Sequence, residues 1–336
     1  MKSKKFVLAG LALLAAITMV LLPLSGCKDA AGNGGGVKVY SFTEEVKVLT
    51  ADEYTSPNNT GSEWTYVAFG DWPQTIKDAS VRVEESEGKK IGMFTYYLGS
   101  DGNYYVKAEE KADGDGYKYS NGEQAGRNGI STKWFKVEPI VWRVLNKDYA
   151  STGKALLLAE KILTGGIKWA DSSNNYKESY IRQWLNGNNG TGETSDYNGD
   201  AGFLQTAFTQ SARDKIADTT VDNSTASTKD KIFLLSDQEA TTSEYGFAEY
   251  DVYVGDGYGT TTSTRIRVTT DYAKATGTYQ DSRPGYGGWW WLRSPFYDYE
   301  SLARGIDDRG FADSNDAVDI SYGGVVPALS ISLKSN

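Results

Sequence analysis

The sequence predicts a mixed α+β domain in which short antiparallel strands carry two or three segregated helices. Three observations lead there. Apolar residues alternate over short runs toward both ends of the chain, as half-buried strands require. The middle instead carries apolar stripes at helical spacing. Aromatic residues make up 13% of the chain and glycines number 37, against only 3 Met, which suits a loop-rich, rigid extracellular domain better than a helical bundle. No period of about twenty to fifty residues repeats, which excludes a solenoid.

The first segment reads as processing signal. Lys2, Lys4 and Lys5 precede an uncharged apolar run from Phe6 to Leu22, too short and wrongly flanked for a membrane span. Leu24-Ser25-Gly26-Cys27 has the form of a bacterial lipobox. Residues 1–26 are then a lipoprotein signal peptide, and Cys27, the only Cys, is the lipidated residue. An ordinary signal peptide followed by a chance Cys, or an uncleaved anchor, are the alternatives. Such a Cys carries more than one acyl chain, which suits stable anchoring. Lys28 stands where an Asp would retain the protein at the inner membrane, so the expected place is the outer membrane and cell surface. Residues 27–61, rich in Gly, Ala and Asn at first and polar afterwards, are expected to form a flexible tether.

The domain is expected over 62–334. "WTYVAFGDWPQTI" (64–76) alternates through Phe69 and is expected to turn at Gly70-Asp71, with Pro73 at an edge or corner. Residues 78–133 carry glycine-rich hairpin signals. "KWFKVEPIVWRVLN" (133–146) and "KALLLAEKIL" (154–163) are strands joined by a turn, the second apolar enough to be covered on both faces. "YKESYIRQWLNG" is a helix with Tyr176, Tyr180, Ile181, Trp184 and Leu185 on one stripe, ending at Gly187. "FLQTAFTQSARDKI" (203–216) is expected to form a second helix, and "TTDYAKATG" a short one closed by Gly277. In "DKIFLLSDQEA" a strand leads to Ser236 as N-cap, with Glu239 completing a capping box. In the C-terminal block, "GWWWLRS" and "VVPALSISL" are expected to pair with each other across a loop-rich run. Neighbours among Trp289, Trp290 and Trp291 must point to opposite faces of their strand, and core packing is expected for them, as for Trp64, Trp72, Trp134, Trp142 and Trp184.

Composition removes most chemistry. No His is present, which excludes a His-based triad or general base and most zinc sites. With Cys27 committed to lipid no thiol nucleophile remains, and "GNGGG" (32–36) follows no strand and opens no helix, so it is no phosphate loop. The net charge of −9 becomes −12 once the three signal-peptide lysines leave, which argues against nucleic acid as a partner. Carboxylate pairs for glycoside hydrolysis and calcium ligands at 112–124 or at Asp307, Asp308, Asp313 and Asp316 remain conceivable from residue type, with solvated acidic loops the simpler reading. No metal, cofactor or catalytic residue is expected.

Taken in order, "FGDWPQT" (69–75), "VEPIVWRVLN" (137–146), "LLLAEKIL" (156–163), "YIRQWLNG" (180–187), "FLLSDQEA" (233–240), "WWLRSP" (290–295) and "GVVPALSI" (324–331) resemble exported bacterial domains with the C-type lectin-like fold of the formylglycine-generating-enzyme subtype. Within that group the chain is most similar to the variable proteins of diversity-generating retroelements, and among those to treponemal surface lipoproteins. The enzyme of this subtype uses a catalytic Cys; with none available here, catalysis is not carried over. In the variable proteins a C-terminal segment is rewritten when template adenines are copied as random bases. The resemblance places such a region at about 289–326. It implies scaffold roles for Trp289, Trp290, Trp291, Ala303, Ile306, Gly310, Val318 and Gly324. Between them it implies variable, ligand-facing residues at Phe296, Tyr297, Asp298, Tyr299, Ser301, Arg304, Asp307, Asp308, Phe311, Asp313, Ser314, Asp316, Asp319, Ser321 and Tyr322.

The residue types agree with that division. Tyr offers large contact area at low entropic cost, and Ser and Asp offer adaptable hydrogen bonds, as in antibody loops. The expected function is binding of an external protein ligand by a monomeric surface lipoprotein that touches the membrane through its anchor alone. The alternatives are a carbohydrate-binding or carbohydrate-processing envelope lipoprotein, and an invariant structural envelope protein.

Overall fold

A computed structural model describes residues 40–57, 64–111, 117–126, 131–146, 148–187, 201–223, 226–247, 264–312 and 314–332. The expected signal peptide, Cys27 and Asp313 lie outside these. The packed unit begins at Tyr40, earlier than the tether expected to reach residue 61. Its first residues are held by ring packing and hydrogen bonds that composition does not advertise. Tyr40 meets the rings of Phe42, Tyr96 and Tyr104 at 4.6–5.0 Å, and the backbone N–H and hydroxyl of Thr43 donate to the buried Asp71.

The first half of the chain is strand after strand. β1 (Lys47–Leu49) pairs antiparallel with β2 (Tyr66–Ile76). β3 (Lys89–Ile91), β4 (Phe94–Leu98) and β5 (Tyr104–Glu109) form a meander that leads to β6 (Thr132–Val144). β2 is one strand, not two around a turn. Gly70, at φ 69°, sits in a bulge between the Ala68 and Asp71 registers, so turn chemistry bends a strand here instead of ending it. Pro73 lies opposite Val137 in the part of β2 that pairs with β6 alone, beside a second register shift between Pro73 and Thr75.

A single helical turn, α1 (Tyr149–Thr152), closes the connection to β7 (Lys154–Ala159), which pairs antiparallel with β6 at Trp142–Val144. Then come α2 (Tyr180–Asn186), α3 (Phe203–Ala207) and α4 (Gln210–Lys215). The stripe from 203 to 216 is thus two helices. Phe208 is extended, and the Thr209 side chain accepts from the Ala212 N–H to start the second. Both halves still bury their apolar faces, so the periodicity survives the break. The hairpin β8 (Thr219–Val221) and β9 (Thr228–Asp230) precedes β10 (Ile232–Phe233) and α5 (Asp237–Thr241), whose Ser236–Glu239 capping box forms as the sequence predicts. α6 (Asp271–Ala275) has Thr270 as its N-cap. Beyond the single turn α1, the described residues therefore hold five short helices rather than two or three.

β11 (Trp290–Pro295), β12 (Leu302–Ile306) and β13 (Ser314–Ala317) form a separate antiparallel sheet, so the run expected to be mostly loop is largely strand. β14 (Ala328–Ser332) returns to the nine-stranded main sheet between β7 and β10. The expected pairing of "GWWWLRS" with "VVPALSISL" does not form. Trp290 makes only a parallel bridge to Gly324, the residue just before the second segment, and β14 instead finds a five-residue antiparallel ladder on β7. The fold is mixed α+β with antiparallel sheets. A main core runs under it, with Trp72, Trp142, Trp169, Trp290 and Trp291 fully enclosed and Trp64 and Trp134 only half-buried, beside a small second cluster of Tyr96, Val106 and Val137.

Candidate functional site

The three-stranded sheet is built around its tryptophans. Trp289 and Trp291 share a face, their rings edge to face with centroids 4.5 Å apart. Trp290 points the other way, and its indole N–H donates to the Arg265 carbonyl at 3.2 Å. Gly305 and Gly323 lie flush against the first pair. A β-carbon at Gly305 would fall 2.5 Å from Trp289 Cη2, and one at Gly323 2.6 Å from Trp291 Cε2. Sequence reasoning missed both positions; a glycine inside a strand pattern is the signal that finds Gly305. Ala303, Ile306 and Val318 are buried, the Gly310 carbonyl accepts from Arg265 Nε at 2.7 Å, and Gly324 exchanges backbone hydrogen bonds with Trp289 and Trp291. All eight expected scaffold residues are therefore inside.

The fifteen expected ligand-facing residues divide. Tyr297, Asp298, Tyr299, Ser301, Asp319, Ser321 and Tyr322 are exposed. Phe296, Arg304, Asp308, Phe311, Ser314 and Asp316 are half-buried, and Asp313 is not described. Tyr297, Tyr299 and Tyr322, at 70%, 61% and 44% exposure, are three of the four large hydrophobic residues that the described surface exposes. The turn carrying the first two is clamped by one amide. Asn174 Nδ2 donates to the carbonyls of Phe296, Tyr299 and Leu302 at 3.1, 3.1 and 2.9 Å. Nothing in the polar loop around Asn174 marks it in the sequence. Phe296 and Tyr299 stack nearly parallel, 6.2 Å apart, and the Arg304 guanidinium lies 5.3 Å from the Phe296 ring and 5.9 Å from that of Tyr297. The Tyr322 hydroxyl donates to Asp316.

Three residues do other work than expected. Asp307 is buried; its carboxylate accepts the N–H groups of Arg309 and Phe311 at 2.9 and 2.8 Å, which fixes the turn between β12 and β13. Ser314 serves the frame, its hydroxyl accepting the Trp289 indole N–H at 2.8 Å. Asp308 faces Asp281 and Arg283 of the preceding hairpin. Burial, the hydrogen bond with Asp281 and the Asp307 charge push its carboxyl up to about 6. The Arg283 guanidinium, 2.5 Å from Asp281, holds the Asp281 carboxyl well below the usual carboxylate range. Beside this pair opens a cleft of about 970 Å³ whose walls include Tyr117, Tyr279, Gln280 and Tyr286, with Arg283 stacked 4.0 Å from the Tyr286 ring.

Among the described residues no cluster of three His, Cys, Asp or Glu side chains could hold a metal ion, and no helix is long and apolar enough to cross a membrane. Comparison with curated proteins and with solved structures returns no match. A family described as a domain of unknown function, DUF6273, matches residues 152–333, from the start of β7 through β14 and thus across the whole tryptophan frame and its tyrosine surface. That match spans more than half of the sequence, and the chain belongs to the DUF6273 family.

Proposed function

We propose that the protein is a lipid-anchored surface protein that binds an external protein ligand through residues 296–322. In this reading the domain has the C-type lectin-like fold of the formylglycine-generating-enzyme subtype, and the segment is diversified by a retroelement. The protein works as a monomer, without catalysis or cofactor, and meets the membrane only through its anchor at Cys27. The observation that carries the reading is the placement of tyrosine. Exposed Tyr297, Tyr299 and Tyr322 stand on a sheet whose framework positions are all enclosed. A rigid frame with a replaceable aromatic surface is the arrangement of a binding loop on a scaffold.

Deep sequencing of the locus across a cultured population and several isolates tests it. Substitutions concentrated at 297–301 and 319–322, with Trp289–Trp291, Ala303 and Gly305 constant, are expected. A uniform segment overturns the diversification. Carbohydrate binding is a second reading, favoured by the open cleft with its three tyrosines. A glycan array separates the two readings, because a protein-binding surface gives no selective glycan signal.

A further inference from the structure

The tyrosine surface is braced from outside by the segment 166–174. Gly166, Ala170 and Asn174 donate through their backbone N–H groups to the carbonyls of Ser321, Val318 and Glu300 at 2.8, 2.9 and 2.7 Å. The Asn174 side chain adds the bonds from Nδ2 to the carbonyls of Phe296, Tyr299 and Leu302. Those three carbonyls also belong to a ring of hydrogen bonds inside the turn. The N–H groups of Phe296, Leu302 and Tyr299 donate to the carbonyls of Leu302, Tyr299 and Phe296 at 3.1, 3.1 and 3.4 Å. The last is longer than the usual range of about 2.7–3.2 Å, so the ring alone is a weak lock. The two amide hydrogens of Asn174, shared among its three carbonyls, complete it.

Asn174 stands on firm ground. Before it in the chain Trp169 is fully enclosed, and its indole N–H donates to the Leu292 carbonyl at 2.9 Å. After it Tyr176 is buried, and its hydroxyl accepts the Leu234 N–H at 3.2 Å. The two rings meet at 5.8 Å. The turn has no such footing, because residues 297 to 301 are all exposed. Every group that Asn174 holds there is a main-chain carbonyl, so the brace works whatever side chains stand at 297 to 301.

We infer that Asn174 is a positioning residue of the binding surface: from outside the segment it keeps the turn 296–302 preformed, so that Tyr297 and Tyr299 meet a ligand already in place. The inference rests on the binding surface proposed above and names the residue that sets its readiness. A loop that must order itself on binding loses affinity to that cost, and a loop ordered beforehand avoids the loss. When the competent shape is populated only part of the time, apparent affinity falls by the same fraction. Asn174 acts through the turn and needs no contact with the ligand.

The test uses the full chain, with two synthetic nanobodies selected against the parent protein as probes. One is chosen because alanine at Tyr297 or at Tyr299 weakens it. The other binds the β3–β4 hairpin. Asn174→Ala is expected to weaken the first by roughly tenfold or more, mainly through slower association, and to leave the second within about twofold of the parent. Amide hydrogen exchange at Tyr299 and Leu302 should quicken by about tenfold or more, with exchange in β11 and β14 unchanged. Asn174→Ser, whose hydroxyl can serve one of the three carbonyls, should fall between the two proteins. It carries the same comparison if the alanine variant fails to fold. Equal weakening of both nanobodies, or faster exchange throughout the domain, shows a general structural role and overturns the inference. An unchanged first nanobody with unchanged exchange overturns it as well. The sequencing experiment reads the surface separately. A uniform locus refutes the diversification and leaves the nanobody comparison intact, whereas a diversified locus with an indifferent Asn174→Ala protein refutes the role of Asn174 alone.

Discussion

A methyl group added at residue 305 tests how unyielding the tryptophan frame is. In Gly305→Ala the new carbon would fall nearest to Trp289 Cζ2, with Cη2 and Cε2 at 2.5 and 2.6 Å. Carbon contacts are comfortable at about 3.5–4.0 Å, so the ring must retreat by more than about 1 Å. Its exits are closed. Trp291 meets it edge to face at 4.5 Å, its N–H is held by Ser314 at 2.8 Å, and Gly323 leaves no slack behind it. Overpacking of this kind costs about 1–3 kcal/mol, and loss of the Ser314 hydrogen bond adds about 1 kcal/mol, so about 2–4 kcal/mol is expected. Urea denaturation with near-ultraviolet circular dichroism reads both the loss and the altered packing of the indoles. Trp289→Phe, which shortens the ring, should relieve the clash, and the double variant should show a favourable coupling of about 1 kcal/mol or more. A Gly305→Ala protein within about 0.5 kcal/mol of the parent, with an unchanged indole spectrum, would refute the rigid frame.

Replacing Tyr297, Tyr299 and Tyr322 together with Ala should shift stability by no more than about 1 kcal/mol, since all three are exposed; a larger loss in calorimetry places them in the core. Asp308 holds its proton to about pH 6 in the folded chain, above the roughly 3.9 of an unfolded Asp, so its contribution to stability is present below about pH 4 and lost as pH rises toward 6. Asp308→Asn should remove that slope and gain roughly 1 kcal/mol at pH 7, the carboxyl being partly screened by solvent; equal pH profiles of the two proteins count against it. Ser236→Ala breaks the capping box that starts α5 and should cost about 0.5–2 kcal/mol in denaturant titration. Arg143→Met leaves the fully enclosed Glu160 without the guanidinium that holds it at 2.7 and 2.8 Å, and should cost about 3–5 kcal/mol, a loss that Glu160→Gln partly restores.

Local signals proved legible where one residue decides its neighbours. Ser236 and Glu239 announce their helix, and the three consecutive tryptophans had to alternate across their strand. Legibility failed where two chemistries share a signature. Gly70-Asp71 reads as a turn and makes a bulge, and the stripe from Phe203 to Ile216 spans two helices because an apolar period persists across the Thr209 cap. "DDRGF" (307–311) looked like a ligand-facing loop by composition, yet Asp307 folds back on the N–H groups of Arg309 and Phe311. Long-range partners were out of reach. No local pattern tells β14 to choose β7 over β11, or Asn174 to reach three carbonyls more than a hundred residues away.

The position of β14 has a consequence for inheritance. It sits inside the main sheet, pairing Ala328–Ser332 with Leu158–Lys154 on one side and with β10 on the other, although the chain reaches it only after the tyrosine surface. A gene copy that shifts frame or stops anywhere in 296–322 therefore loses an interior strand. The backbone edge of β7 is then bare beside Leu156, Leu157 and Leu158. Such a product cannot complete its core and is left to proteases and aggregation. Under the diversification proposed above, folding would act as a proofreader: it would discard copies that fail to keep the reading frame and be blind to which side chains replace the exposed Tyr297, Tyr299 and Tyr322.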